Sequence, residues 1–287
     1  MKPTNKINNL WVKDSTFFIE GLSYIQGYNS PNFSDLHKSL ALINIQTHES
    51  FEYELGSIRR PEMSAQHYEG KTYNYTAAGT ATKGLRGIDV GLLDMGIYEI
   101  KLSVSANAKD RKYLDLSLAF NGLDKRSADD WFEYRLYQKN GKTYLVKRDI
   151  VGRHVNDYGY INIAKDWVDG RVFHVEGEFI VPGVDLTDFT QGKYYLILKK
   201  PITQRQYAFE LGQIKKPNFG GKINNAYGDY NICYFATLKL EGIDTRGFEL
   251  GEYELYVSLG YKSELFTGKL AKNLKIDRSG MCQLIDC

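Results

Sequence analysis

The segment Phe51-Glu52-Tyr53-Glu54-Leu55-Gly56 decides the fold, because it recurs at an offset of 156 as Tyr207-Ala208-Phe209-Glu210-Leu211-Gly212. In the first occurrence, large apolar side chains alternate with glutamates. Alternation with a period of two is typical of a β-strand that buries one face. Recurrence at a fixed spacing is typical of an internal repeat. The segment therefore predicts a chain built from two copies of one β-rich module.

Matches on both sides extend this repeat over about 95 residues of each copy, in the same order and with similar chemistry. At the offset of 156 the matched residues are Trp11 and Trp167, Glu20-Gly21 and Glu176-Gly177, Gly27 and Gly183, Phe33 and Phe189, and Arg59-Arg60-Pro61 and Lys215-Lys216-Pro217. One deletion then shifts the offset to 155, where the matched residues are Gly87-Ile88-Asp89 and Gly242-Ile243-Asp244, and Gly96-Ile97-Tyr98-Glu99 and Gly251-Glu252-Tyr253-Glu254.

The two copies diverge after these matches. The first copy continues through an extra stretch from about Asn107 to Gly159, and the second ends sooner. We therefore expect two domains, a first module with extra strands at 1–160 and a second module at 161–287. No proline- or serine-rich linker separates them, which predicts a short and fairly stiff junction.

Several further segments have strand character. Tyr194–Leu198 is an apolar run typical of a fully buried strand, and Asn140-Gly141 separates two alternating segments as a hairpin turn would. A single helical turn at Ser127–Trp131 is the one helical pattern. Runs of short strands separated by turn residues predict an all-β sandwich or barrel.

The segments Leu93–Tyr98 and Leu250–Tyr253 resemble the tyrosine corner of immunoglobulin-like sandwiches. In that motif a tyrosine at the start of a strand donates its hydroxyl hydrogen bond to the backbone of the preceding turn. Asp89 precedes such a turn, and we expect its carboxylate to accept backbone N–H groups there. The sequence thus predicts two tandem immunoglobulin-like β-sandwich modules.

Composition limits the function classes. The formal net charge is +2, and no aromatic motif of an RNA-binding sheet is present, so a nucleic-acid partner is not expected. No apolar run approaches the ~18 residues that a membrane-spanning helix needs. The N-terminus has no apolar signal core, and the three cysteines form no disulfide pattern. We expect a cytoplasmic protein that reaches a membrane only through a partner or another domain, with Cys233 buried.

The sequence offers little catalytic chemistry. It contains no phosphate-binding loop and no nucleophile elbow, and no histidine lies at metal-ligand spacing from another histidine or a cysteine. We therefore predict no catalytic residue, no metal site and no cofactor. The acid pairs Glu52 and Glu54, and Asp129 and Asp130, are the exception, because glycan-cleaving β-sandwich enzymes use two nearby acids. Their simpler interpretation is a solvated strand face and a turn.

Two groups of residues are candidates for glycan binding. The basic pairs Arg59-Arg60 and Lys215-Lys216 each precede a proline at a strand exit, where they would meet an anionic polymer or simply remain solvated. Tyr73, Tyr75 and Trp131 belong to stretches of the first copy with only a loose counterpart at Tyr227 and Tyr230. They would stack on sugar rings, with core packing as the alternative.

A series of motifs occurs in a fixed order in the first copy, namely Glu20-Gly21, Tyr53-Glu54-Leu55-Gly56 with Arg60-Pro61, Tyr73 and Tyr75 with Ala78-Gly79, Gly87-Ile88-Asp89, and Gly96 with Tyr98-Glu99 and Ser103. In these motifs the module resembles the accessory C-terminal β-sandwich repeats of bacterial glycosyltransferases and glycerophosphotransferases that build teichoic acids and capsules. The second copy departs from it at Tyr227-Gly228-Asp229-Tyr230. The resemblance covers most of the chain and concerns fold motifs, so it carries over no catalytic residue.

The resemblance implies a non-catalytic module that self-associates or holds an anionic glycan such as a teichoic-acid-like polymer. A glycosyltransferase domain is the expected partner. Two alternatives remain open at this point. One is a β-sandwich enzyme that cleaves glycans with paired carboxylates, and the other is a fragment of a surface adhesin.

Overall fold

A computed structural model describes residues 1–108, 110–216 and 228–287, and the fold is given for those residues. Pro217 and Tyr227 lie outside them. The chain forms two units, each described by itself. Unit 1 is Met1–Ser127 with Glu133–Arg148, and unit 2 is Ala128–Phe132 with Asp149–Cys287. In these described ranges the helical elements are 3-10 turns of three residues, so the all-β prediction is confirmed. The immunoglobulin-like topology stays a prediction.

The strands of unit 1 form one hydrogen-bonded path in the order β1-β2-β7-β4-β3-β9-β13-β12-β11, with β8 beside β2 and β10 beside β9. A separate hairpin joins β5 and β6. Their bounds are β1 Lys2–Lys13, β2 Thr16–Gln26, β3 His37–Asn44, β4 Ser50–Ile58, β5 Gln66–Tyr68, β6 Lys71–Tyr73, β7 Gly79–Thr82, β8 Ile88–Asp89, β9 Gly96–Ser105, β10 Tyr113–Asp115, β11 Asp124–Ala128, β12 Phe132–Lys139 and β13 Lys142–Asp149.

The strands of unit 2 follow the order β14-β22-β21-β17-β18-β19-β16-β15, with β20 beside β16 and β23 beside β22. Their bounds are β14 Arg153–His154, β15 Tyr160–Asp169, β16 Val172–Ile180, β17 Gly192–Lys199, β18 Gln206–Ile214, β19 Tyr234–Thr237, β20 Ile243–Asp244, β21 Gly251–Tyr261, β22 Glu264–Ile276 and β23 Cys282–Asp286.

One strand in each unit serves two sheets. Residues 50–54 of β4 pair with β3, whereas Leu55–Ile58 pair with β7. The matched strand β18 pairs with β17 up to Leu211 and with β19 from Leu211 onward. The strand that contains the repeated Glu-Leu-Gly segment therefore carries the chain from one sheet to the other, and each unit has a sandwich-like arrangement.

The repeated glycines are required by close backbone approaches. A side chain at Gly21 would collide with the carbonyl oxygen of Lys6, where β1 has a bulge, and Gly177 stands in the same relation to Asn162. Gly87 has a φ of +79°, a left-handed backbone conformation that glycine adopts without strain. The shared Glu-Gly and Gly-Ile-Asp motifs thus serve the backbone in both copies.

The predicted turn chemistry is confirmed in both units. The Tyr98 hydroxyl donates to the Asp94 carbonyl oxygen at 2.8 Å, and the Tyr253 hydroxyl donates to that of Glu249 at 2.7 Å. The Asp89 carboxylate accepts the Gly91 N–H at 2.8 Å. Both corner tyrosines are fully buried, so each bond satisfies a hydroxyl that has left water.

The extra stretch of the first copy interrupts one strand. In unit 2, β22 pairs with β21 along nearly its whole length. In unit 1, β10 pairs with Lys101–Ser103 of β9 and β13 pairs with Gly96–Ile100. These two short strands together occupy the place of β22, so β11 and β12 are an insertion between its halves.

Two local predictions for this insertion have different outcomes. Asn140 and Gly141 have φ values of +53° and +75°, as a tight hairpin turn between β12 and β13 requires, so the turn is confirmed. The helical turn at Ser127–Trp131 is wrong. Ser127 and Ala128 end β11, and the Asp129 carboxylate then accepts the N–H groups of Trp131 and Phe132 at 2.8 Å each. Aspartate favours this side-chain turn over a helix.

At one buried, core-facing position the first copy has a charged residue where the second copy has an aromatic one. Lys38 of β3 is 3% exposed, and its ammonium donates to the carbonyl oxygens of Ala77 and Gly79 at 2.6 and 2.8 Å. The matched residue of β17 is Tyr194, whose hydroxyl donates to the Phe179 carbonyl oxygen at 2.8 Å. Burial lowers the pKa of Lys38 to about 7, because the charged ammonium loses its hydration.

This burial predicts a stability that depends on pH. Between pH 7 and 10 the unfolded chain holds a proton on Lys38 that the folded chain has released, so the free energy of unfolding should rise with pH. The rise should be about 1 kcal/mol per pH unit. Relative to the variant Lys38→Met, wild type should gain roughly 2 kcal/mol between pH 7 and 9, measured by hydrogen exchange of the β3 amides.

The matched control is Lys13→Met, which removes an exposed lysine of the same unit. It should keep the wild-type pH dependence. An identical slope in wild type and Lys38→Met would contradict the prediction.

Candidate functional site

The clearest chemical difference between the copies lies on the outer face of β3 and β4 in unit 1 and of the matched strands β17 and β18 in unit 2. In unit 1, the outer positions of β3 and β4 carry Ser39, Ala41 and Glu52. The matched positions of β17 and β18 carry Tyr195, Ile197 and Ala208. Because successive side chains of a strand point to opposite faces, these residues lie opposite the core residues. At these positions the first copy has small or charged side chains, whereas the second has aromatic or aliphatic ones.

Unit 2 covers its apolar face with its own chain. Ile150 packs on Tyr195 and Ile197, and all three are fully buried. The Asp130 carbonyl oxygen accepts the side-chain amide of Gln206 at 2.6 Å, and its carboxylate accepts the Ala208 N–H at 3.2 Å. The face that is apolar is therefore already occupied.

The corresponding face of unit 1, where Ser39 and Ala41 are buried, borders an open groove of about 540 Å³. The residues around it come from β3, β4 and the three loops beside them. They are Phe33, Ser34, Leu36, His37, Lys38, Ser39, Glu52, Tyr53, Glu54, Leu55, Gly56, Ser57, Lys83 and Arg111. We call this surface the β3–β4 groove.

Two ion pairs border the groove. Arg111 donates to the Glu52 carboxylate at 2.5 Å, and Lys83 donates to that of Glu54 at 2.7 Å. The guanidinium of Arg111 also donates to the Ala108 carbonyl oxygen at 3.0 Å, which fixes its direction. The hydrogen bond from Lys83 and its positive charge lower the pKa of Glu54. Glu54 is therefore an ionised hydrogen-bond acceptor at neutral pH, and Glu52 accepts from Arg111.

An aromatic ring and another cation stand at one end of the groove. Phe33 is 49% exposed, and the Arg59 guanidinium lies 5.7 Å from the centre of its ring. An exposed aromatic ring beside a guanidinium offers both a flat apolar face and a positive charge. Arg59, which sequence analysis predicts as a glycan contact, therefore lies beside Phe33 at this groove.

The paired acids that sequence analysis considers for a glycan-cleaving enzyme are engaged in contacts within the protein. An enzyme of that kind needs one carboxyl group that keeps its proton near neutral pH, through a raised pKa. Glu54 has a lowered pKa, and Glu52 is ion-paired. The carboxylates of Asp129 and Asp130 accept hydrogen bonds from backbone N–H groups. Each of the four acids therefore holds an ion pair or a backbone hydrogen bond.

The second residues of the basic pairs hold loops in place. The Arg60 N–H donates to the Thr76 carbonyl oxygen at 2.7 Å, and the matched Lys216 N–H donates to that of Asn231, also at 2.7 Å. The Lys216 ammonium lies 3.2 Å from the ring centre of Tyr234. Lys215 is exposed. These three residues do not line the β3–β4 groove.

Tyr75 is part of the core. It is 2% exposed, and its hydroxyl accepts the Gly27 N–H at 2.9 Å. The matched Tyr230 of unit 2 is as deeply buried, and it accepts the Gly183 N–H at 3.3 Å. The predicted contact of the Tyr75 ring with a sugar is therefore corrected, because a ring without a free face cannot stack on a ligand.

The other two predicted aromatics lie in different units. Tyr73 of unit 1 is half-buried and stacks on Tyr75, with ring centres 6.1 Å apart. Trp131 of unit 2 is 42% exposed, and its backbone carbonyl accepts the Ile150 N–H at 2.9 Å. The structure therefore gives these two rings separate settings.

Sequence analysis missed Phe33, His37, Lys83 and Arg111 as site residues. The repeat matches Phe33 with Phe189, which was the only sign of Phe33 in the sequence. The structure shows that both rings are half-exposed and so lie outside the core. Lys83 and Arg111 gave no sign in the sequence, because they lie 29 and 59 residues from the acids that they contact.

The described residues form neither a metal site nor a membrane-spanning helix. In the part of the chain that the structure describes, no three histidine, cysteine or acidic side chains come together as metal ligands would. The described residues also include no helix that is long and apolar enough to span a bilayer.

The fold and groove define a class: an all-β chain of two related units, one with an open polar groove. Neither protein-family models nor curated proteins yield a match to the chain. Among solved structures, the chain is similar to S. aureus TarS 217–571, with a TM-score of 0.34 and 11% identity over 93% of this chain and 62% of that one.

Two further solved structures are similar to the chain. A second crystal structure of S. aureus TarS matches with a TM-score of 0.34 and 10% identity, over 92% of this chain and 39% of that one. The FN1–FN3 domains of chicken CNTN1 match with a TM-score of 0.23 and 10% identity, over 94% and 67%. The chain thus spans less than two thirds of each TarS structure. At these scores the likeness supports no inference about function.

The corrected position of Tyr75 predicts a stability effect. Tyr75→Phe should lower the free energy of unfolding of unit 1 by about 1 kcal/mol, because the Gly27 N–H loses its buried acceptor. Denaturant unfolding followed by tyrosine fluorescence would measure it. Tyr73→Phe is the matched control, since it changes the stacked neighbour and leaves the Gly27 bond in place. Equal stability of both variants would contradict the role of the hydroxyl.

Proposed function

We propose that the chain is a non-catalytic module that holds an anionic glycan in the β3–β4 groove, as an accessory part of bacterial cell-surface polysaccharide biosynthesis. The observation that carries this proposal is the open polar face of unit 1, at a place where unit 2 has an apolar and covered face. If the fold required this surface to be open and polar, it would be open and polar in both copies. A face that stays open and polar in one copy alone fits a ligand of that copy.

The groove offers the two contacts that sugars use. Phe33 presents a half-exposed ring on which the C–H face of a sugar ring can stack. The carboxyl oxygens of Glu52 and Glu54 can accept hydrogen bonds from sugar hydroxyls, and the Arg111 guanidinium is a planar donor.

The cations favour a polymer that carries phosphate or carboxylate groups. Lys83, Arg111 and Arg59 surround a groove that contains two acids, and His37 adds a further donor. Guanidinium groups bind phosphate through paired hydrogen bonds. A chain of alternating hydroxyl and phosphate groups would match the alternating acids and bases better than a neutral glycan does.

The biosynthetic context rests on the sequence resemblance to accessory repeats of teichoic acid and capsule transferases. A glycosyltransferase domain is the proposed partner, in the same polypeptide or as a separate subunit. The proposed place of action is the cytoplasmic side of the membrane, because the resemblance implies a role beside polymer synthesis. Arg60, Tyr73, Trp131, Lys215 and Lys216 remain secondary candidates for contacts along a longer polymer.

Self-association is a second candidate function, and exposed apolar residues at matched positions favour it. Phe33 and Phe189, Leu85 and Leu240, and Met95 and Leu250 are all half-exposed or more. Large apolar side chains that stay exposed at the same place in both copies suit a contact surface. Light scattering of the protein at micromolar concentration tests this function, and a clean monomer would count against it.

The glycan proposal predicts that a glycerol-phosphate oligomer binds and that neutral dextran of similar length binds at least tenfold more weakly. Isothermal titration calorimetry would measure both. Arg111→Ala and Phe33→Ala should each weaken binding of the oligomer about tenfold, because one removes a charged donor and the other the stacking face.

Phe189→Ala is the matched control, since it removes the equivalent ring from the unit whose face is covered, and it should bind like wild type. Equal affinity for dextran and the oligomer would overturn the anionic specificity. Binding unaffected by both groove variants would overturn the site.

A further inference from the structure

The two units also differ at a second place, where the first strand of each copy approaches the opposite sheet. We call this place the seam. In unit 1, the seam lies between β1 and residues 116–119, which follow β10. In unit 2, it lies between β15 and residues 270–272 of β22. Lys101 of β9 matches Tyr256 of β21. Because Asp115 pairs with Lys101 and Lys269 pairs with Tyr256, the segments that follow Asp115 and Lys269 correspond to each other.

Hydrogen bonds close the seam in unit 1. Ile7 donates its N–H to the Ser117 carbonyl oxygen at 2.7 Å and accepts the Ala119 N–H at 2.8 Å, so residues 117–119 run parallel to β1 at its bulge. The Asn5 side chain adds two bonds, to the Asp115 carbonyl oxygen and from the Ser117 N–H. Leu118 stands opposite Ile7, which is fully buried.

Unit 2 has the same bulge and no such closure. The bulge lies between Ile163 and Lys165, at the position of Ile7, and β15 is the last strand of its sheet. Within the described ranges, the Ile163 backbone makes no hydrogen bond to residues 270–272. Instead a slot of about 160 Å³ opens between the strands.

The slot is apolar inside and charged at its rim. Its floor is formed by core residues of three strands, namely Phe173, Val175, Leu255 and Leu270. Its rim carries Lys165, Asp166 and Lys272, and the Lys272 ammonium donates to the Asp166 carboxylate at 2.9 Å. Its volume is close to that of one large aliphatic side chain, since a cavity of about 150 Å³ holds a benzene molecule.

The two copies also differ in one side chain at this seam. The residue three positions after Asp115 is Leu118, and the residue three positions after Lys269 is Lys272. Leucine places an aliphatic side chain in the seam of unit 1. Lysine at the matched position turns to Asp166 at the rim, so the seam of unit 2 has no aliphatic side chain from its own chain to fill it.

We propose that this slot and the free edge of β15 bind an extended segment of a partner protein that carries one aliphatic side chain between small residues. The segment adds to β15 through the backbone of Ile163, as residues 117–119 add to β1 through Ile7, and its aliphatic side chain enters the slot. Lys165 is exposed at the rim, where its ammonium lies 4.5 Å from the ring centre of Trp167, and it favours an acidic residue elsewhere in the segment. This surface is independent of the β3–β4 groove.

The test uses the full chain and a synthetic peptide with the sequence of residues 114–121, Leu-Asp-Leu-Ser-Leu-Ala-Phe-Asn. Fluorescence anisotropy of the labelled peptide should show saturable binding. Lys272→Leu should weaken it about tenfold or more, because the new leucine fills the slot. Lys275→Leu is the matched control, since it places leucine at an exposed position of the same strand, and it should bind like wild type.

A peptide in which the leucine of position 118 is replaced by aspartate should not bind. This arm needs no change in the protein, so it stays informative even if Lys272→Leu folds poorly. Absence of saturable binding would overturn the proposal, as would equal binding to wild type and Lys272→Leu. A wild-type dimer that Lys272→Leu converts to a monomer would show that a second copy of the chain is the occupant, and would overturn a foreign partner.

Discussion

The structure depends on one strand in each copy that pairs with two sheets. Residues 50–54 of β4 belong to one sheet and Leu55–Ile58 to the other, and β18 changes partner at Leu211. Because a strand can pair along only two edges, this exchange leaves the first half of each strand without a neighbour on one side. The bordering face is therefore a natural place for a ligand, a loop or solvent. The two copies have used it differently.

The second copy uses that face for its own stability. Tyr195, Ile197 and Ile150 bury one another, and Asp130 satisfies the backbone of Ala208 on the strand edge. The first copy has no large apolar residues there and instead has charged partners from distant loops, Arg111 and Lys83. The face that stabilises one copy is therefore not needed for packing in the other. The same logic applies at the seam, where Leu118 closes one unit and Lys272 leaves the other open.

Several residues that the copies share stabilise the backbone. Gly21 and Gly177 admit a facing bulge, Tyr98 and Tyr253 close the corner turns, and Tyr75 and Tyr230 hold the glycines at 27 and 183. Tyr75 is an example of a shared residue that stabilises the fold. Its counterpart Tyr230 was visible as a loose match, and a tyrosine present in both copies is better explained by the fold than by a ligand.

The sequence by itself determined the strand content, the repeat and the chemistry of the turns, because each depends on residues close together in the chain. Alternation sets which side chains share a face, and glycine and aspartate set the turns, whatever the rest of the molecule does. The tertiary structure alone decided which faces stay open. Arg111 reaches Glu52 across 59 residues, and Ile150 covers Tyr195 across 45. No local pattern encodes such contacts, since they arise only when distant strands and loops pack together, and they separate a polar groove in one copy from a covered face in the other.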